Sequence, residues 1–262
     1  MVIHENEVYS QVMGYISIAC WVVFSIPQIY ENYKRKSGES LSIIFLYIWC
    51  AGDFLNLMGS LFQHLLPTVI ILAVYYNIVD IMLISQVYYY RLRRSNYEEI
   101  VCEYGTFESQ SPPSPPPPRP KSKKFIEIAI GIFAVCLTGV IAYYFSSRSQ
   151  EVKNNKDLVP LLFVQREHLE LFPQVCGWIS TLLYLGSRIP QIIKNYTTKS
   201  TEGLSLAMFC YAVLGNITFC LSIILNSTDY EYLIINFAWL LGSGGTLIFD
   251  FIIFAQFYMY GR

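Results

Sequence analysis

Seven stretches of this 262-residue chain stay apolar for long enough to cross a bilayer as a helix, which takes about 20 residues. They cover 9–30, 41–62, 67–90, 125–145, 172–193, 204–225 and 232–258. A continuous apolar run of this length satisfies its backbone amides in hydrocarbon as a helix, whereas a barrel strand is shorter and alternates polar with apolar residues. Seven of them in series exceed what one soluble core can hide. Charged residues make up 14% of the chain, against about 25% in a soluble domain. The sequence therefore reads as an all-α membrane protein with seven transmembrane helices, whose first partner is the lipid bilayer. A net charge of −1 lacks the basic excess of a nucleic-acid binder. Six of the seven Cys fall inside apolar runs and none forms a Cys-x-x-Cys pair, which is the usage of small hydrophobes rather than of a metal site.

An odd number of spans puts the two ends on opposite sides. One set of flanks and loops holds thirteen Lys and Arg, the other holds four, and Arg188 lies within a span. The positive-inside rule then predicts a lumenal N-terminus and a cytosolic C-terminus. His4, His64 and His168 fall on the lumenal side, as solvated side chains. The long cytosolic loop contains Ser111-Pro112-Pro113-Ser114-Pro115-Pro116-Pro117-Pro118-Arg119-Pro120, a polyproline II stretch that reads as a spacer or as an SH3-type ligand. Tyr97-Glu98-Glu99-Ile100 and Tyr104-Gly105-Thr106-Phe107 fit the tyrosine-x-x-bulky pattern of sorting signals. A sorting adaptor or a cytosolic signalling partner is thus a candidate partner.

The chain repeats itself. Pro27-Gln28, Asn32-Tyr33, Lys36-Ser37, Glu39 and Leu41-Ser42 recur as Pro190-Gln191, Asn195-Tyr196, Lys199-Ser200, Glu202 and Leu204-Ser205, at a constant offset of 163. The offset still holds at Gly52 and Gly215, where Asp53 faces Asn216. Farther on, Asp80 and Gln86 match Asp250 and Gln256 at an offset of 170. Spans one to three and five to seven are copies, and four spans separate equivalent points, so both copies run the same way through the membrane. This predicts two parallel three-helix repeats joined by a linker helix, a 3+1+3 plan. The divisions are a first repeat over 1–91, a cytosolic proline-rich loop over 92–124, a linker helix over 125–146, a lumenal loop over 147–171 and a second repeat over 172–262. Transporters built this way hold substrate at the repeat interface near the midplane.

Within that plan the polar residues in apolar runs are the candidate site. Pro27 and Pro190 sit in the last turns of their spans, where a proline removes a backbone hydrogen bond and either hinges the helix or kinks it statically. Gln28 and Gln191 can bond across helices and satisfy freed carbonyls. An Asp near the bilayer centre costs about 2.5–3.5 kcal/mol on insertion scales, so Asp53, Asp80 and Asp250 need a reason to be there: a proton and cation site, or structural pairing. Asn56 shares a face with Asp53, and Tyr76 and Asn77 share one with Asp80. Arg188, whose repeat mate is Ser25, either reaches the headgroups or neutralises an Asp. If it pairs with one acid, a net negative cavity remains, which favours a cationic solute.

Taken with Gly52-Asp53-Phe54-Leu55-Asn56, with Ala73-Val74-Tyr75-Tyr76 before Asp80, and with Trp239-Leu240-Leu241-Gly242-Ser243-Gly244-Gly245-Thr246 before Asp250, the paired Pro-Gln motifs resemble the PQ-loop family. Within it they are similar to the lysosomal and vacuolar cationic amino-acid transporters, relatives of cystinosin and of the SWEET sugar exporters. The resemblance implies proton-coupled export of Lys and Arg, with His as a third candidate, by alternating access from a lysosomal or vacuolar lumen. It implies that Asp53, Asn56, Tyr76, Asn77, Asp80, Asn216 and Asp250 bind substrate and protons while Pro27, Gln28, Pro190 and Gln191 hinge, and that no cofactor is needed beyond a proton gradient. No catalytic constellation and no metal-ligand spacing occurs, so no enzyme is expected. The alternatives are a seven-helix nutrient sensor that recruits cytosolic partners, and a SWEET-like sugar or cystine transporter.

Overall fold

The computed structural model describes residues 2–62, 67–104, 121–152 and 171–261. The proline-rich stretch 111–120, residues 105–107 of the second tyrosine motif, His64, His168 and most of the predicted lumenal loop lie outside the described residues. Among the described residues all regular structure is helical: α1 (Val2–Val23), α2 (Ile26–Arg35), α3 (Ile43–Phe62), α4 (Pro67–Tyr104), α5 (Lys121–Val152), α6 (Leu171–Thr198), α7 (Leu206–Asn226), α8 (Tyr230–Ile235) and α9 (Phe237–Tyr260). α1 and α2 together form the first span, and α8 leads into α9, the seventh. Among the described residues six spans are long and apolar enough to cross a membrane. α6 supplies the seventh: its 28 residues reach about 42 Å, but they carry buried Ser180, Thr181, Ser187, Arg188, Gln191 and Asn195, which lower its hydropathy. Those polar groups face inward because α6 packs between α3 and α9.

Several helices run past their expected ends, α4 the furthest. α4 continues beyond Tyr90 through the first tyrosine motif to Tyr104, and α5 continues beyond Phe145 to Val152. Nothing in Arg91–Tyr104 breaks a helix, as the segment contains neither Pro nor Gly; apolarity marks where the hydrocarbon ends, not where a helix does.

The prolines are not equivalent and do not sit in final turns. The first span breaks at Phe24-Ser25, and Pro27 stands in the opening turn of α2, where a missing N–H costs nothing. The Ser25 carbonyl accepts from Gln28 N at 3.2 Å and Ile29 N at 3.0 Å. The Tyr75 hydroxyl, on α4, donates to the Val22 carbonyl at 2.5 Å just before the break. Pro190 lies inside α6, which continues for two more turns.

Each half grips the other. α1 packs along α7, and α3 along α6, so the first helix of each repeat lies against the second helix of the other. α5 covers the outer side of α1. Gln28 Oε1 accepts from Ser205 N at 2.7 Å, and Gln28 Nε2 donates to Gly203 O at 3.1 Å. Gln191 repeats this in reverse, accepting from Ser42 N at 2.7 Å and donating to Ser40 O at 3.2 Å. Asn32 and Asn195 donate to Gln86 and Gln256, and those glutamines donate to the carbonyls of Ile29 and Ile192. The four pairs are related by the sequence offsets, so the repeat is a true two-fold in space. Each buried amide is satisfied, and orphaning one costs about 1–3 kcal/mol.

The halves differ in one respect. α6 lies along α9, whereas the first span meets α4 chiefly through α2. The first half is the more open one between α1 and α4, and a cavity lies there.

Candidate functional site

That cavity, about 230 Å³, lies at the repeat interface and takes its walls from α1, α3, α4, α6, α7 and α9. Its floor toward the Pro-Gln end is aromatic. Trp49 is the hub: its ring lies 5.5 Å from Phe24, 5.1 Å from Tyr184 and 6.2 Å from Trp21. Trp21 and Tyr184 are repeat mates and each closes on a glycine of the opposite half. A Cβ on Gly52 would fall 2.7 Å from the Tyr184 ring, and one on Gly215 would fall 3.1 Å from the Trp21 indole nitrogen. Ser17 and Ser180, again mates, donate to the carbonyls of Gly215 and Gly52 at 2.9 and 3.0 Å. Two glycines thus bring an aromatic side chain from each half to the middle of the molecule.

Asp53 and Asp80 stand on the cavity wall, each about one-twentieth exposed. Asp53 lies ten residues into α3, about 15 Å along it. Its Oδ1 accepts from the Tyr184 hydroxyl at 2.5 Å. The two carboxyl groups are neighbours on that wall, near enough for their charges to interact. Asp80 Oδ2 has no hydrogen-bond partner among the described residues. No basic side chain lines the cavity among the described residues.

The structure divides the residues singled out from sequence. Asp53, Asn56, Tyr76, Asp80 and Asn216 line the cavity. Asn216 donates to the Thr246 hydroxyl at 3.0 Å, and Thr246 is the repeat mate of Tyr76. Asn77 is not on the wall; it donates to the Asp53 carbonyl at 3.2 Å and ties α4 to α3. Asp250 is not on the wall either. Arg188 Nε donates to Asp250 Oδ1 at 2.8 Å, with both side chains wholly buried. The guanidinium carbon lies 4.5 Å from the Trp49 ring centre, 5.4 Å from Phe45 and 5.8 Å from Phe209. The three acids therefore do not share one chamber, because Arg188 neutralises one of them behind Trp49. Gln28 and Gln191 serve the contact between halves and are likewise outside the cavity. Trp21, Trp49 and Tyr184 are not singled out by the sequence, where an aromatic residue within an apolar run carries no signal of its own. The signal that could have found two of them was the pairing of Trp21 with Tyr184 at the repeat offset.

Fold and site together define a class: a membrane protein of two parallel helical repeats that enclose an acidic, aromatic-floored cavity at their interface. Comparison with known proteins agrees. The PQ loop repeat family matches twice, at residues 9–69 and 172–232, one match in each half. A vacuolar lysine transporter of Saccharomyces cerevisiae is 38% identical over 98% of this chain and 95% of its own. A vacuolar histidine transporter of the same yeast is 34% identical over 97% and 92%, and the human lysosomal amino acid transporter 1 homolog is 30% identical over 95% and 82%. This chain belongs to the PQ-loop repeat family.

Proposed function

We propose that the protein is an amino-acid transporter of the vacuolar or lysosomal membrane that carries Lys, Arg or His to the cytosol together with protons, with its N-terminus lumenal and its C-terminus cytosolic. The observation that carries this reading is the pair Asp53–Asp80 on the wall of a cavity without a basic lining residue. A cation entering it meets a carboxylate and the faces of Trp21 and Trp49, which attract positive charge. One carboxyl of the pair can carry a proton while the other, ionised, pairs with the cation, so that both cross together. Names of relatives that transport lysine, histidine or amino acids in vacuoles and lysosomes support the substrate class and the compartment. Thirteen basic residues against four support the orientation. Alternating access follows from two like halves that meet at a central cavity, with the break at Phe24-Ser25 as the flexible point.

The test is flux in proteoliposomes. Radiolabelled arginine loaded inside vesicles at pH 5 should leave faster than from vesicles at pH 7, and should be displaced by lysine but not by glucose. Asp53→Asn and Asp80→Asn should each reduce the flux about tenfold or more. Equal efflux at both pH values from the parent protein, or full activity in both variants, would refute the proposal.

A further inference from the structure

The second half of the molecule already contains a guanidinium held by an acid. Arg188 meets Asp250 at 2.8 Å, over the face of Trp49. The repeat mate of Asp250 is Asp80, and the mate of Arg188 is Ser25. In the first half, then, the acid is kept while the base is replaced by a short side chain. Ser25 and Asp80 both line the cavity, and Asp80 Oδ2 is buried there with no hydrogen-bond partner among the described residues. Trp21, Phe24 and Trp49 line the same cavity and offer ring faces of the kind that cover Arg188.

We infer that Arg188 is a tethered copy of the ligand: the two-fold relation maps its guanidinium onto the space between Ser25 and Asp80, which is the subsite for the guanidinium or alkylammonium group of the transported molecule. This rests on the cationic substrate proposed above and adds where the charged group docks and which residue keeps that place open. Ser25 is the specificity-determining position. A short side chain leaves room for an external cation; a long basic one would fill the subsite with the chain's own charge, as happens in the second half. The two halves thus divide the work. One carries a permanent internal ion pair that holds α6 to α9, and the other carries the same acid with its counter-charge supplied by the ligand.

The test is Ser25→Arg, compared with Ser25→Gln, in the purified full-length protein. Equilibrium binding of radiolabelled L-arginine should fall at least about tenfold in Ser25→Arg, the loss expected when a charge-assisted hydrogen bond is denied to the ligand. It should fall clearly less in Ser25→Gln, which adds similar bulk without charge. Equal losses, or undiminished binding in Ser25→Arg, would overturn the inference. A second measurement needs no variant. Dicyclohexylcarbodiimide modifies carboxyl groups in apolar surroundings, and peptide mapping of the parent protein should find Asp80 labelled and protected by methylguanidinium but not by leucine. Labelling that methylguanidinium does not slow would overturn the inference. A parent protein that binds neither arginine nor lysine but is still protected by methylguanidinium would sink the substrate proposal and leave this subsite standing.

Discussion

The pair formed by Arg188 and Asp250 should behave as one energetic unit. Both side chains are wholly buried, joined by one bond of 2.8 Å. The two terminal guanidinium nitrogens and Asp250 Oδ2 have no hydrogen-bond partner among the described residues. Asp250→Leu leaves a guanidinium in the core with no acceptor and only ring faces at 4.5 to 5.8 Å for compensation, worth about 2 kcal/mol. Removing one partner of a buried pair costs about 3–5 kcal/mol. Arg188→Met should cost less, about 1–3 kcal/mol, because the orphaned carboxyl can become neutral by taking up a proton. The double substitution restores an apolar core of similar volume, and such replacements are neutral or stabilising by about 1–4 kcal/mol. The expected coupling energy therefore exceeds about 2 kcal/mol and is favourable. Reversible unfolding of all four proteins in mixed micelles measures it. Two single losses that simply add in the double variant would refute the reasoning, since they would mean that the charges do not compensate each other.

Other expectations follow from the same geometry. Gly52→Ala should destabilise by about 1–3 kcal/mol and weaken arginine binding, because its Cβ would meet the Tyr184 ring at 2.7 Å and displace the hydroxyl from Asp53; Gly215→Ala, with 3.1 Å to Trp21, should be milder on both readouts. Gln28→Leu and Gln191→Leu should each cost about 1–3 kcal/mol in the same unfolding assay, and by the symmetry of their bonds the two losses should be alike. Tyr75→Phe removes the bond to the Val22 carbonyl and should raise hydrogen exchange at the Phe24-Ser25 break without changing exchange around Pro190. Asp80→Asn should flatten the dependence of arginine efflux on internal pH between 5 and 7, while a variant that keeps the slope would show that the proton is carried elsewhere.

Much of the arrangement was legible before any coordinates. Long continuous apolar runs announce helices in a bilayer because a helix pairs every backbone group within the run, and the offset between Pro27-Gln28 and Pro190-Gln191 announces two like halves. Asp53 and Asp80 could be singled out because a carboxyl in an apolar run needs a reason. The boundaries were less legible: α4 and α5 run beyond the hydrocarbon, where hydropathy carries no signal. Pro27 and Pro190 looked alike, but one opens a helix and the other lies within one, since a single proline is compatible with both outcomes and the neighbours decide.

Pairings across the interface could not be read from local pattern. Gln28 bonds the loop of the other half, Tyr184 reaches Asp53 over 131 positions of chain, and Arg188 selects Asp250 rather than Asp53 or Asp80. A charge in a sequence has a sign but no address; which opposite charge it meets is set by helix packing, and that packing depends on small residues such as Gly52 and Gly215 that allow close approach. The amino-acid sequence alone therefore determined the solvent, the helices, the repeat and the pool of acids, all of which follow from hydrophobicity and periodicity along the chain. Only the tertiary structure decided which acid is neutralised and which stays open to a ligand, because that depends on distances between segments far apart in sequence.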